Sequence, residues 1–236
     1  MVERGLAASR TQAQALVMEG KVRVAGQTEY KPSRQIDDAA SVEVEAPPRF
    51  VSRGGEKLEG AFDRWGPALS AEGRICLDVG SSTGGFTDCL LQHGAARVMA
   101  VDVGTNQLAY SLRVDPRVWV RENFNARFMK PSDLPETPSL AVTDVSFISL
   151  KLILPPIRDV LADGGEIVAL IKPQFEVGKG NAPGGLVRDE RLRIEARDGI
   201  VRFAKEELGL TLLGLAESPI KGREMGNVEY LSYWRK

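Results

Sequence analysis

From about Ala71 onward, short apolar runs alternate with segments of helical periodicity, and this alternation constrains the fold more than any other feature of the chain. Arg74–Val79 reads as a strand, Gly85–His93 as a helix, Arg97–Val101 as a strand, Asn106–Leu112 as a helix and Val118–Arg121 as a strand. Leu140–Asp144 (strand), Leu150–Ala162 (helix), Glu166–Ile171 (strand) and Arg188–Leu208 (helix) continue the series. Two β-rich runs, Thr211–Glu217 and Val228–Trp234, follow. Strands that are apolar throughout have both faces covered, and helices between them supply the crossovers of a parallel sheet. The expected fold class is therefore α/β, a doubly wound, mostly parallel, Rossmann-like sheet.

Residues 1–46 have a different texture and are expected to form a small α+β appendage, with the main domain over 47–236. Ser9 is placed to cap a polar, Gln-rich helix, Gln12 to complete a capping box and Gly20 to close the far end. Short β-type runs around Lys21–Val24 and Val42–Glu45 imply a small hairpin. Between Met1 and Arg34 six basic residues (Arg4, Arg10, Lys21, Arg23, Lys31, Arg34) face three acids, so this stretch is locally positive. Ala46-Pro47-Pro48-Arg49 is the stiff kind of sequence that separates domains. With 31 Lys+Arg against 32 Asp+Glu the chain as a whole is not basic, and any nucleic-acid role has to rest on a local patch. No apolar run reaches the length of a membrane span and no signal-type leader is visible, so a cytoplasmic protein that does not enter membranes is expected. Cys76 and Cys89 read as buried thiols without zinc-type spacing, and no metal is expected.

Leu77-Asp78-Val79-Gly80-Ser81-Ser82-Thr83-Gly84-Gly85-Phe86 places a glycine-rich turn directly after the first strand and at the mouth of the next helix, where open α/β sheets bind ligands. Its glycines follow G-x-x-x-G-G rather than the dinucleotide pattern G-x-G-x-x-G. Asp78 precedes the turn, and Asp102 ends the second strand, where an acid can accept both hydroxyls of a ribose. A cofactor with a ribose and a sulfonium but no phosphate tolerates these carboxylates, so S-adenosylmethionine fits better than NAD. The expected cofactor-binding set is Asp78, Gly80, Ser81, Ser82, Thr83, Gly84, Gly85, Phe86 and Asp102.

Four further stretches put polar groups where a buried core has no need of them: Ser52–Leu58, Thr143–Phe147, Ile171–Glu176 and Asn227–Tyr230. Asp144 and Lys172 each fall at the carboxyl end of an apolar strand, beside the glycine turn. Taken singly, each also has an ordinary structural reading as a capping acid, a snorkelling lysine or a solvated edge charge. Together with Gly80–Phe86 and the following Thr87-Asp88, the runs Asp144-Val145-Ser146-Phe147-Ile148-Ser149-Leu150 and Lys172-Pro173-Gln174-Phe175-Glu176 resemble the TlyA (hemolysin A) family of ribosomal RNA methyltransferases, within the wider FtsJ-like group. Glu3–Ala7, Ser9-Arg10 and Gly20–Val24 are similar to part of the S-four-type RNA-binding domain, which in this family begins about ten residues further upstream, with an Arg-Leu-Asp run.

The resemblance implies S-adenosylmethionine-dependent 2′-O-methylation of ribose in ribosomal RNA, with cytidine as the target and ribosomal RNA or ribosomal subunits as partners. It also implies a Lys-Asp-Lys-Glu tetrad, matched here by Lys57, Asp144, Lys172 and Glu229. A ribose hydroxyl is a poor nucleophile, so a base has to take its proton. A lysine can do so only when neutral, which desolvation or a neighbouring cation favours. Lys172 is the expected base, Lys57 the neighbouring cation, and Asp144 and Glu229 the orienting acids. Arg4, Arg10, Lys21, Arg23 and Arg53 are the expected RNA contacts, and the loop Gly178–Gly185 with Lys221-Gly222-Arg223 could clamp a phosphate. His93 has no serine in a nucleophile-elbow context and reads as a helix-end residue. Two rival classes remain: an RNA-binding assembly factor without chemistry, and a membrane-lysing protein.

Overall fold

The computed structural model describes residues 1–46, 48–178, 180–222 and 226–236. Pro47 and Arg223, named above, and Lys179 of the Gly178–Gly185 loop lie outside the described residues. Two compact units are present, Met1–Pro48 and Arg49–Lys236.

In the first unit α1 (Arg10–Met18) precedes β1 (Val22–Val24), β2 (Gln27–Glu29) and β3 (Val42–Val44), which form an antiparallel sheet in the order β2-β1-β3. Ser9 caps α1 by accepting the Gln12 N–H, but the return bond of the capping box is displaced: the Gln12 carboxamide takes the N–H of Ala8, not of Ser9. β2 was not expected, because Gln-Thr-Glu has no apolar run. It pairs with β1 because Ala25 and Gly26 both take positive φ, 48° and 79°, a two-residue turn whose twist matches a hairpin.

The second unit contains α2 (Gly54–Trp65), β4 (Ile75–Val79), α3 (Gly85–Gln92), β5 (Arg97–Val101), α4 (Tyr110–Arg113), β6 (Val118–Arg121), β7 (Leu140–Thr143), α5 (Leu154–Val160), β8 (Glu166–Ile171), α6 (Pro173–Glu176), α7 (Glu190–Glu206), β9 (Thr211–Glu217) and β10 (Tyr230–Arg235). Its seven strands run β6-β5-β4-β7-β8-β10-β9. β4 to β8 are parallel, and β10 is antiparallel to both of its neighbours. The chain winds outward from β4 through β5 to β6 and then returns to the other side of β4 at β7, so the crevice of a doubly wound sheet opens between β4 and β7. Alternate residues serve the two faces. Cys76, Val98 and Val142 pack with Leu58, Phe62 and Leu90 of α2 and α3, while Leu77, Met99 and Ala141 pack with Ile157 and Ile200 of α5 and α7.

Three elements depart from the sequence reading. α2 was not foreseen, although Leu58, Ala61 and Phe62 line one side of it and are buried. The helix expected over Asn106–Leu112 is reduced to the single turn of α4. Asn106 sits at φ 52°, and the Glu122 carboxylate accepts the N–H groups of Gln107 and Leu108 that would otherwise start a helix. With the Arg113 guanidinium also against it, that carboxyl is held down at about 2. The expected helix Leu150–Ala162 is divided into a 3-10 turn, Leu150–Leu152, and α5, whose first turn holds Pro155 and Pro156; proline has no N–H to offer and is accommodated at a helix start.

Candidate active site

The glycine turn between β4 and α3 is folded by its own backbone. Gly80 and Ser81 both donate to the Val101 carbonyl, Gly84 donates to Ser81, and the Ser82 N–H goes to Asp102 Oδ2 at 2.8 Å. Glycine is required at three positions of this segment, and Gly80 sits at φ 81°. Gly84 sits at φ 101°, and a side chain at Gly85 would come within 2.4 Å of Ser52 Oγ and 2.7 Å of the Gly55 nitrogen, where α3 meets α2. Four of the turn's amides are committed in this way and are not free to cradle a pyrophosphate. Asp102 accepts one N–H on each oxygen, from Ser82 and Gly104, which leaves acceptor capacity on both. Asp78 lies beneath the turn, fully buried, with Oδ2 accepting from Thr87 Oγ1 and Oδ1 unpartnered. Burial, opposed by the Thr87 bond, pushes its carboxyl up to about 7.

On either side of the turn the strand ends converge. Val79 of β4 pairs with Thr143 of β7, so Gly80 and Asp144 leave the sheet side by side. Tyr230 of β10 pairs with Ile171 of β8, which sets Glu229 across from Lys172. Lys57 comes from the first turn of α2. The Lys57 Nζ lies 2.7 Å from Glu229 Oε2 and 3.5 Å from Asp144 Oδ2, and the Lys172 Nζ lies 2.5 Å from Asp144 Oδ1. Lys172 also donates to Ser146 Oγ at 2.8 Å. Two lysines and two carboxylates thus alternate in one chain of contacts, with Lys57 at 8%, Lys172 at 7% and Glu229 at 3% exposure. Buried charges are tolerated when paired in this manner.

Three cavities meet at this cluster. One, of about 560 Å³, runs from Lys57, Asp144 and Lys172 past Gly80–Thr83, Gly85 and Phe86 to Ser52, Arg53 and Lys221. A second, also about 560 Å³, lies beyond Asp102 between Val103, Phe124, Asn125, Ala126, Val145 and Ile148. The third, about 380 Å³, opens on the other side of Lys57, Lys172 and Glu229 and is bounded by Phe147, Gln174, Phe175, Gly184 and Asn227.

Residues 50–236 match the family described as FtsJ-like methyltransferase, and residues 1–41 match the S4 domain. The chain is 47% identical over 238 residues to the 16S/23S rRNA (cytidine-2′-O)-methyltransferase TlyA of Mycobacterium tuberculosis, covering 100% of this chain and 87% of that protein. This protein is a TlyA-type member of the FtsJ-like methyltransferase family. It is also 45% identical to Hemolysin A of Brachyspira hyodysenteriae, over 98% of this chain and 95% of that one. A solved hemolysin-named structure from Lactococcus lactis is 49% identical, with a TM-score of 0.77 over 80% of this chain and 90% of that one. Aeropyrum pernix fibrillarin with bound S-adenosyl-L-methionine shares the fold alone, at 17% identity and a TM-score of 0.54 over 77% of this chain and 76% of that one.

In this FtsJ-like methyltransferase the residues singled out from the sequence do not all stand at the cavity walls. Lys57, Asp144, Lys172 and Glu229 are brought together, and Gly80, Ser81, Ser82, Thr83, Gly85 and Phe86 line the first cavity. Asp102 lines the second cavity, whereas Asp78 is sealed below the turn. Arg53 lines the first cavity and donates to the Lys221 carbonyl. Arg4 spends its guanidinium on the carbonyls of Ala40 and Asp38, and Lys21 pairs with Glu19, while Arg10 and Arg23 are exposed. His93 ends α3, stacks on Phe62 and bonds Glu59, whose other oxygen takes Arg49. Cys89, one helical turn before His93, also contacts Glu59, a neighbourhood that reading for C-x-x-C spacing overlooks.

The sequence reading quoted Ser146 only as part of a motif, without a role, and it missed the Phe124–Ala126 wall of the second cavity. The Phe124–Ala126 stretch carries no glycine or charge signal, and only the β5–β6 pairing brings it beside Asp102.

Proposed function

We propose that this protein is a cytoplasmic S-adenosylmethionine-dependent 2′-O-methyltransferase acting on cytidine ribose in ribosomal RNA, free or within ribosomal subunits. The observation that carries this reading is the Lys57–Asp144–Lys172–Glu229 cluster at the junction of three cavities: one at the glycine turn, one beyond an acid suited to a ribose diol, and one flanked by aromatics. The names of the relatives, several of them ribosomal RNA (cytidine-2′-O)-methyltransferases, support the substrate.

The residues present fit the cofactor. Asp102 has acceptor capacity for ribose hydroxyls, the largely apolar second cavity with Asn125 suits an adenine ring, and four amides of the turn are already taken up within the protein. When bound, S-adenosylmethionine supplies a methyl group made electrophilic by its sulfonium. The chain's own residues do the rest. Lys172 Nζ, in its neutral form after release of its own proton to solvent, accepts the 2′-hydroxyl proton as the oxygen turns nucleophilic, and Asp144, touching both lysines, fixes the direction in which Lys172 points. Glu229 holds Lys57, whose positive charge beside Asp144 offsets the carboxylate and faces the developing negative oxygen. Most of the acceleration comes from positioning and from fixed charges in a partly dry site. Arg53 and Lys221 bring positive charge to the mouth of the first cavity, where an RNA backbone passes.

The deciding experiment incubates the protein with methyl-labelled cofactor and ribosomal subunits, maps 2′-O-methylation, and tests leakage from lipid vesicles in parallel. Label at a cytidine ribose is the expected result. Vesicle leakage without transfer would favour the lytic class, and RNA binding without transfer the assembly-factor class. Among the described residues no helix is long and apolar enough to cross a membrane.

A further inference from the structure

The loop that follows β7 carries Asp144 and Ser146 into the crevice, and Phe147 within it is 86% exposed at a backbone φ of 63°. A bulky residue in the left-handed region persists only where its surroundings over-determine it. Both ends of this loop are tied to the same short turn, α6. At the near end Lys172, just before α6, donates to Ser146 Oγ at 2.8 Å. At the far end Glu176, the last residue of α6, accepts from two successive residues: Oε2 takes the Ser149 hydroxyl at 2.6 Å and Oε1 the Leu150 N–H at 2.8 Å. Both Glu176 oxygens are thereby used on protein donors, and the side chain is not part of any of the three cavity walls. Burial pushes the Glu176 carboxyl above its ordinary range, so the fold holds an acid here against its desolvation cost.

We propose that Glu176 is a positioning residue for methyl transfer, a strap that ties the Asp144–Leu150 loop to α6 so that Asp144 and Lys172 stay in contact. The inference rests on the methyltransferase reading above. Lys172 and Glu176 lie four positions apart, so a single turn fixes both the lysine and the loop that carries its acid partner. Without the strap the loop can relax from its strained φ. A displacement of about 1 Å at the reacting groups is enough to cost on the order of a hundredfold in rate.

The test compares wild type, Glu176→Ala, Glu176→Gln and Ser149→Ala in the full chain, reading kcat, KM for ribosomal subunits, cofactor affinity and hydrogen exchange across residues 145–150. Glu176→Ala is expected to lower kcat by roughly ten- to a hundredfold, with KM and cofactor affinity changed less than about threefold, and to speed exchange in the loop. Glu176→Gln can still accept from Leu150 and meet the Ser149 hydroxyl, so it should restore most of kcat. Ser149→Ala, which removes one bond, should fall between. An unchanged kcat in Glu176→Ala overturns the proposal, as does a fall in kcat accompanied by a comparable rise in KM and loss of cofactor affinity without rescue by glutamine. Should Glu176→Ala fail to fold, Ser149→Ala decides alone, and a wild-type kcat there is equally fatal. A wild type that transfers no methyl group would sink the methyltransferase reading instead. The exchange measurement still tests the strap in that event, and unaltered exchange would refute it.

Discussion

At the scale of single residues, two carboxylates at the ends of neighbouring strands behave differently because one faces the crevice and the other does not. Asp102 lines the second cavity with spare acceptor capacity on each oxygen. Hydrogen bonds to a charged acceptor contribute about 1.5–3 kcal/mol, so Asp102→Ala is expected to weaken S-adenosylmethionine binding by roughly ten- to a hundredfold, measured by calorimetry. Asp78 is sealed below, its carboxyl raised to about 7 from an ordinary 3.8. Below about pH 4 it is protonated in both folded and unfolded chains and costs nothing. Between there and pH 7 the folded state keeps a proton that the unfolded state has lost, so stability falls as pH rises, to a ceiling of about 4 kcal/mol. Asp78→Asn removes this dependence: its melting temperature relative to wild type should climb between pH 5 and pH 8. A constant difference would mean that Asp78 does not titrate in that window. Lys172→Ala belongs at this scale too. Loss of the proposed base should lower single-turnover methyl transfer by about 10²- to 10⁴-fold while calorimetry finds cofactor binding intact.

At the scale of elements, the meeting of α2 and α3 is the tightest backbone approach near the site. A methyl group at Gly85 would press on Ser52 Oγ and on the Gly55 nitrogen, and the latter is backbone that cannot swing aside. Gly85→Ala is expected to destabilise the second unit by about 1–3 kcal/mol in chemical denaturation and to lower transfer by shifting the helix that bears Lys57. Legibility from sequence divides along the same elements. β4, β5, β7 and β8 were plain because buried parallel strands are continuous apolar runs, and the turn after β4 was plain because only glycine satisfies its geometry. Asp144 and Lys172 could be placed from those strand ends, whereas Glu229, just before β10, was given a role only by the resemblance. The resemblance singled out Lys57, yet the helix presenting it went unread, since the glycines at 54 and 55 obscure its start and the Leu58–Phe62 periodicity is short. α4 was over-read because nothing local announces that Glu122, fourteen residues beyond Leu108, takes its N–H. The walls of the second cavity come from separate loops, and no local pattern unites them.

At the scale of the whole molecule, net charge gives no hint of an RNA partner, and the exposed cations of the first unit carry that expectation. Arg10 and Arg23 are exposed, whereas Arg4 is engaged within its own unit. Replacing Arg10 and Arg23 together by glutamine should weaken binding to ribosomal RNA and reduce the salt slope by about one unit per lost phosphate contact, leaving cofactor affinity untouched. Arg4→Gln should instead lower the thermal stability of the first unit, because two carbonyls lose their donor. Equal salt slopes for wild type and the double variant would move RNA capture to the second unit. The Lys57–Glu229 pair, 172 positions apart in sequence, has a consequence of a different kind. A nascent chain holds Lys57, the glycine turn, Asp144 and Lys172 long before Glu229 is translated, and until β10 slots between β8 and β9 the lysine has no acid on that side. A chain interrupted before β10 would therefore hold most of the parts of the proposed centre and leave Lys57 without its anchor, so the cluster closes only once this strand has been made.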